Sequence, residues 1–218
     1  MGSFFNIDPL SEKYAYQSHY NFSEDCVINS RELEGLEKVF FQNVLFKDER
    51  FQKAYQAERQ TTGGKEFSNT LSSQNKINVL YTNFSNTNAT GIAPLINNKK
   101  EFSDISKDFK IGVSAKEYDK ISENGSKKIQ LIGVSFGDKK TPAFDVAATL
   151  NHEEVAHSTE VIKKNEEQSN ASGHKSYYGE YRETSPEDKA VLTDKKYEGT
   201  KANINLKELE QILEKPEK

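Results

Sequence analysis

Four histidines stand among the 218 residues, and three of them, His152, His157 and His174, fall within 23 positions. Imidazole is the side chain that both ligates metal ions and exchanges protons near neutral pH. The first two lie in the run Asp145-Val-Ala-Ala-Thr-Leu-Asn-His152-Glu153-Glu154-Val-Ala-His157-Ser158, beside two carboxylates. A single cysteine, Cys26, excludes an internal disulfide and any cysteine-based zinc cluster. A metal bound by this chain must therefore be held by His, Asp or Glu. The plain alternative is a charged helix face turned to water. Against it, the surrounding segment is apolar at Ala148, Val155 and Ile162. His152 falls within about 60° of that stripe on a helical wheel, which points it inward.

The run resembles the active-site helix of gluzincin-like metallopeptidases, where His-Glu-x-x-His places two imidazoles one turn apart on zinc. In that family the glutamate between them is the general base that activates water. The resemblance implies zinc as cofactor, His152 and His157 as ligands and Glu153 as base. The third ligand would be His174, 17 residues past His157, with Glu180 as the carboxylate competitor. Tyr178, together with Tyr177 or Tyr181, would give a phenol hydrogen bond to a developing oxyanion. The spacing departs from the family: it is His-Glu-x-x-x-His. On a regular α-helix a step of five residues turns about 500° and leaves the two rings roughly 140° apart. A one-residue π-bulge within 152–157 would return both rings to one face. Otherwise Glu153 and His157, four apart, would form the pair and His152 would turn elsewhere. The bulge is the preferred repair.

These residues need elements to hold them. Lys128–Phe136 is the strongest strand in the chain and follows an Asn124-Gly125 turn signal. Thr141-Pro142 then opens a helix that runs to about Lys164. A polar loop follows to Gly173, and Ser185-Pro186-Glu187-Asp188 starts another helix. Upstream, Ser30 caps a helix carrying Leu33, Leu36, Val39 and Phe40. A second helix covers Lys47 to Arg59 and stops at Thr61-Thr62-Gly63-Gly64. Residues 77–84 read as a strand, 85–98 as an exposed loop, and 109–113 as a short strand. A last helix spans Asn205–Leu213. The expectation is an α+β fold with several helices and a small antiparallel sheet, its active-site-like helix following the strongest strand.

Composition sets limits. Hydrophobic residues make up 34% and charged residues 29%, and mean hydropathy is −0.83. With 13 Phe and 10 Tyr the chain can still build a core. No apolar run reaches the roughly 18 residues a membrane helix needs, so membrane insertion is not expected. No secretion signal is visible. The net charge of −4 lies entirely from Glu153 onward, where 11 basic residues face 15 acidic ones. No basic stripe recommends a nucleic-acid partner. Gly63-Gly64-Lys65 lacks the rest of a phosphate loop, and Ser158 is a helix neighbour of His157, not part of a triad.

The N-terminus carries a second resemblance. Asn6-Ile7-Asp8-Pro9-Leu10-Ser11-Glu12-Lys13-Tyr14, then Ser18-His19-Tyr20-Asn21-Phe22-Ser23-Glu24, resembles the end of an RHS-repeat-associated core domain of Bacteroidetes. His19 stands where that family usually has proline, and its closing Asp-Pro-Asp/Thr-Gly is replaced by Ser30-Arg31-Glu32-Leu33-Glu34-Gly35. The resemblance implies that residues 1–37 end such a core and that 38–218 form a polymorphic toxin domain, metallopeptidase-like. It also implies secretion within a larger effector by a specialised apparatus and action in a target cell. A cognate immunity protein and a target protein in a competitor or host cell would be its partners. The competing functions are a metal-independent toxin, such as a ribonuclease using His157 and Glu153 as acid and base, and a non-enzymatic domain that binds a partner.

Overall fold

The computed structural model describes residues 28–33, 36–84, 89–135, 141–179 and 186–214. Two runs rich in Ile, Val and Leu form its centre. Strand β3 (Ile77–Asn83) lies parallel to β6 (Lys128–Val134) over its full length, Ile77 beside Lys128 and Asn83 beside Val134. β2 (Leu36–Gln42) adds in parallel on the other side of β3, and β1 (Ile28–Leu33) closes that edge as an antiparallel hairpin with β2. The far edge is made by two short antiparallel pieces against β6, β4 (Gly91–Ile92) and β5 (Leu95–Ile96). The sheet order is β1-β2-β3-β6-β4, with β5 also on β6.

The fold is α+β. The sheet is mixed, however, and not antiparallel throughout as the sequence led us to expect: its three central strands run parallel. Parallel strands are buried on both faces, and these carry apolar residues on both. Val39, Phe41, Val79, Tyr81, Ile132 and Val134 enter one core, while Phe40, Leu80, Ile129 and Leu131 enter the other.

Helices cover the two faces unequally. The thinner layer is α4 (Lys99–Asp108), capped by Asn98, and α5 (Ala115–Ile121), opened by a Ser114–Glu117 capping box. Between them they bury Phe102, Tyr118 and Ile121 against the sheet. The thicker layer starts with α1 (Asn43–Phe46), α2 (Glu49–Gln60, capped by Asp48) and α3 (Thr62–Ser72, capped by Thr61). It continues after β6 with α6 (Ala143–Asn151), a π-helical turn (His152–Ser158) and α7 (Thr159–Lys164) in one continuous rod. α8 (Asn170–Tyr178), α9 (Asp188–Thr193), a 3-10 turn at Lys195–Tyr197 and α10 (Lys201–Leu213) complete it.

Four local expectations are corrected. The helix expected from Ser30 is the β1–β2 hairpin. Thr61-Thr62-Gly63-Gly64 does stop α2, but it opens α3 at once: the Thr61 hydroxyl accepts from the Gly64 N–H. No strand forms at 109–113; Phe109 instead caps the C-terminus of α4. The polar loop before Gly173 ends early, because the Ser169 hydroxyl caps α8 by accepting from the Ser172 N–H. His174 therefore stands on a helix.

Candidate metal centre

The rod that follows β6 changes pitch at the histidines. From His152 to Ser158 it is a π-helix, and the Thr159 N–H donates to the Glu154 carbonyl five residues back. Two hydroxyls repeat that reach: Ser158 Oγ donates to the Glu153 carbonyl at 2.7 Å, and Thr159 Oγ1 donates to the Glu154 carbonyl at 2.9 Å. The widened turn takes up the one-residue excess in His-Glu-x-x-x-His, so both rings lie on one side. Their Nε2 atoms are 3.0 Å apart.

His174 reaches the same place from α8. Its ring centroid lies 5.2 Å from that of His152 and 5.0 Å from that of His157. One ligand nitrogen from each of the three histidines falls within 4.8 Å of the other two. Three histidines are thus close enough to bind one metal ion. Nitrogens tetrahedrally placed around zinc at about 2.0–2.1 Å stand roughly 3.4 Å from one another. The His152–His157 pair meets that within a few tenths of an ångström, and His174 stands within the wider 4.8 Å limit.

That approach depends on a glycine. A Cβ on Gly173 would sit 2.2 Å from the Ala156 carbonyl oxygen and 3.4 Å from His157 Nδ1. The missing side chain lets α8 pack backbone against backbone on the π-turn, one residue before its ligand. The other ring nitrogen of His152, Nδ1, is 2.8 Å from the Tyr178 hydroxyl. Partners of this kind fix the tautomer of a ligating imidazole. Tyr178 therefore acts on His152 from behind.

Burial drives the electrostatics. It lowers the His152 imidazole to about 3, helped by His157 and His174, and lowers His157 to about 4, helped by His174. His174, more open, is lowered as well, again through burial. Neutral rings are the form that ligates metal. Glu153 is only 6% exposed, and burial pushes its carboxyl up to about 8. It is wedged against β4: a Cβ on Gly91 would lie within 3 Å of Glu153 Oε1, Cδ and Cγ. Burial that raises a carboxyl in this way makes its carboxylate form a stronger proton acceptor, which is the direction general base chemistry uses.

The neighbouring Glu154 turns the other way. It is fully buried, accepts from the Tyr81 hydroxyl at 2.6 Å and is ion-paired to Arg59. Arg59 also pairs with buried Glu58 at 2.6 Å, whose carboxyl burial raises. Asn151 donates to Glu58 at 3.1 Å and to the Thr61 hydroxyl at 3.3 Å, and accepts from Tyr177 at 2.6 Å. Tyr177 is thus committed to this network.

The structure therefore brings together His152, His157 and His174, with Tyr178 against His152, while Glu153, next to His152 in the chain, is buried against Gly91. Glu180, Tyr181 and Cys26 lie outside the described residues, as does the RHS-like segment to Glu24. The sequence reading did not find Gly91, Gly173, Arg59 or the Ser158–Thr159 hydroxyls. Two signals were present: a glycine directly before a candidate ligand, and paired hydroxyls directly after another. Compared with known proteins, the chain matches no family model, no curated protein and no solved structure.

Proposed function

We propose that the chain is a zinc-dependent peptidase and the toxin portion of an RHS-associated effector. The observation that carries the peptidase reading is the π-turn that sets two imidazoles 3.0 Å apart beside a buried glutamate. Three imidazole donors suit zinc and leave a fourth position open, the pattern of catalytic sites. His152, His157 and His174 would hold the ion. When bound, zinc supplies Lewis-acid polarisation of a scissile carbonyl and acidification of water.

The protein's own groups supply the rest. Glu153 takes the proton of the attacking water on its carboxyl and passes it to the departing amine nitrogen. The Tyr178 hydroxyl, at Nδ1 of His152, keeps that ring in the tautomer whose Nε2 carries the ligating lone pair.

The toxin reading is supported by Asp8–Tyr14 and Ser18–Glu24, which resemble the end of an RHS core. It carries with it secretion inside a larger effector, action in the target cell, a protein substrate there, and neutralisation by a dedicated immunity protein.

The test is expression of the chain in a bacterial host beside Glu153→Gln, with metal analysis of both purified proteins. The expected result is about one zinc per chain in each, with growth arrest and proteolysis only for the wild type. Undiminished toxicity of Glu153→Gln, or toxicity from a protein that carries no zinc, overturns the peptidase reading and favours metal-independent or partner-binding action. A chain harmless in every cellular compartment overturns the toxin reading.

A further inference from the structure

A π-turn is a less favourable backbone than the α-helix it interrupts, so something must hold His152–Ser158 open. Two sets of contacts converge on it. From outside, Glu154 is gripped by Arg59 and by the Tyr81 hydroxyl at 2.6 Å. Arg59 comes from α2 and is itself anchored by Glu58 at 2.6 Å and Ser68 at 2.9 Å. Tyr81 comes from β3, in the sheet. From within, the Ser158 and Thr159 hydroxyls bond the Glu153 and Glu154 carbonyls, which the widened coil displaces from the regular ladder. Val155 is also pressed against the start of α3, where a Cβ on Gly63 would lie 2.7 Å from its Cγ2.

Rewinding this turn to a regular α-helix would rotate Glu154 relative to His152 or His157. Either choice pulls the carboxylate from Arg59 or parts the two rings. Register and ligand geometry are thus one choice. We propose that Glu154, Arg59 and the Ser158 and Thr159 hydroxyls are positioning residues that lock the widened turn and, through it, the His152–His157 ligand pair. This rests on the metal-site reading above and adds to it which residues, none of them a ligand, set metal affinity and geometry.

The test uses cobalt(II) as a spectroscopic stand-in for zinc. Wild type, Glu154→Gln, Thr159→Val and Thr159→Ser are compared by visible absorption of the cobalt form, zinc affinity by chelator competition, and far-UV circular dichroism. The wild type is expected to show the intense bands of a four-coordinate site. Glu154→Gln, which can still accept from Tyr81 but loses the charge for Arg59, is expected to weaken zinc binding about 10–100-fold, as second-layer changes do. Its cobalt bands should shift and weaken. Thr159→Val, nearly isosteric, is expected to lose affinity about tenfold, and Thr159→Ser to restore it. Should Glu154→Gln fail to fold, the Thr159 pair decides. Folded variants whose cobalt spectrum and zinc affinity match the wild type overturn the proposal while leaving the metal site standing. A wild type that binds neither ion overturns both.

Discussion

Gly173→Ala adds one methyl group at the tightest point of the site. Its carbon would fall 2.2 Å from the Ala156 carbonyl oxygen, at least about 1 Å inside ordinary contact distance. The obstacle is backbone, and it belongs to the π-turn itself, so no side chain can swing away. α8 must retreat by about that 1 Å or the π-turn must distort. His174 follows Gly173 directly and moves with it, whereas metal–ligand distances tolerate only about 0.2 Å. Overpacking of this kind costs about 1–3 kcal/mol of stability. Losing a third ligand should lower zinc affinity at least as much as a second-layer change, about 100-fold, or about 2.7 kcal/mol. Zinc affinity by chelator competition, alongside thermal unfolding of the metal-free protein, separates the two effects. The reasoning fails if Gly173→Ala binds zinc as tightly as wild type, because α8 then does not set His174 by close approach.

Three further outcomes follow from the same geometry. Tyr178→Phe removes the hydroxyl 2.8 Å from His152 Nδ1; zinc affinity should fall about tenfold with little change in fold, measured as above. Glu153→Gln should keep zinc but lower kcat by about 10²–10⁴-fold in a peptidase assay once a substrate is in hand. Asp188, at the start of α9, is pushed up to about 6 by burial and by Asp145. A raised folded-state pKa means the wild type loses stability as pH climbs from the unfolded value near 3.8 to about 6 and then levels off. Asp188→Asn should therefore match the wild type near pH 4 and exceed it by about 1–2 kcal/mol at pH 7.5, after allowance for the lost helix-dipole contact. Urea unfolding at the two pH values checks this.

The parts legible in the sequence were those whose local pattern agreed with their final surroundings. β3 and β6 were visible as β-branched runs, the start of α6 at Pro142, and the widened turn as the only way to bring His152 and His157 together. β2 misled because it is buried on both faces. Val39 and Phe41 enter one core and Phe40 the other, which gives apolar residues at spacings that also fit a helix. α3 was hidden by Gly63 and Gly64, which read as a stop. Gly63 serves instead to let α3 approach Asn205 and Val155, and Gly64 to pass the Glu58 backbone. α4 is polar enough that only Phe102 is fully buried, so its apolar periodicity is faint. At the site, the ligands carried a recognisable chemistry. Their support did not, because Arg59 lies 95 residues before Glu154 in the sequence and only the folded sheet and helices join them.

The central claim is that His152, His157 and His174 share one ion across the π-turn. X-ray absorption at the zinc edge on the purified wild-type chain tests it most directly. The account predicts about one zinc per chain, with three imidazole nitrogens at about 2.0–2.1 Å and a light fourth scatterer. His157→Ala and His174→Ala should each remove one imidazole from that shell. A protein that takes up no stoichiometric zinc, or a shell that either substitution leaves unchanged, would contradict it.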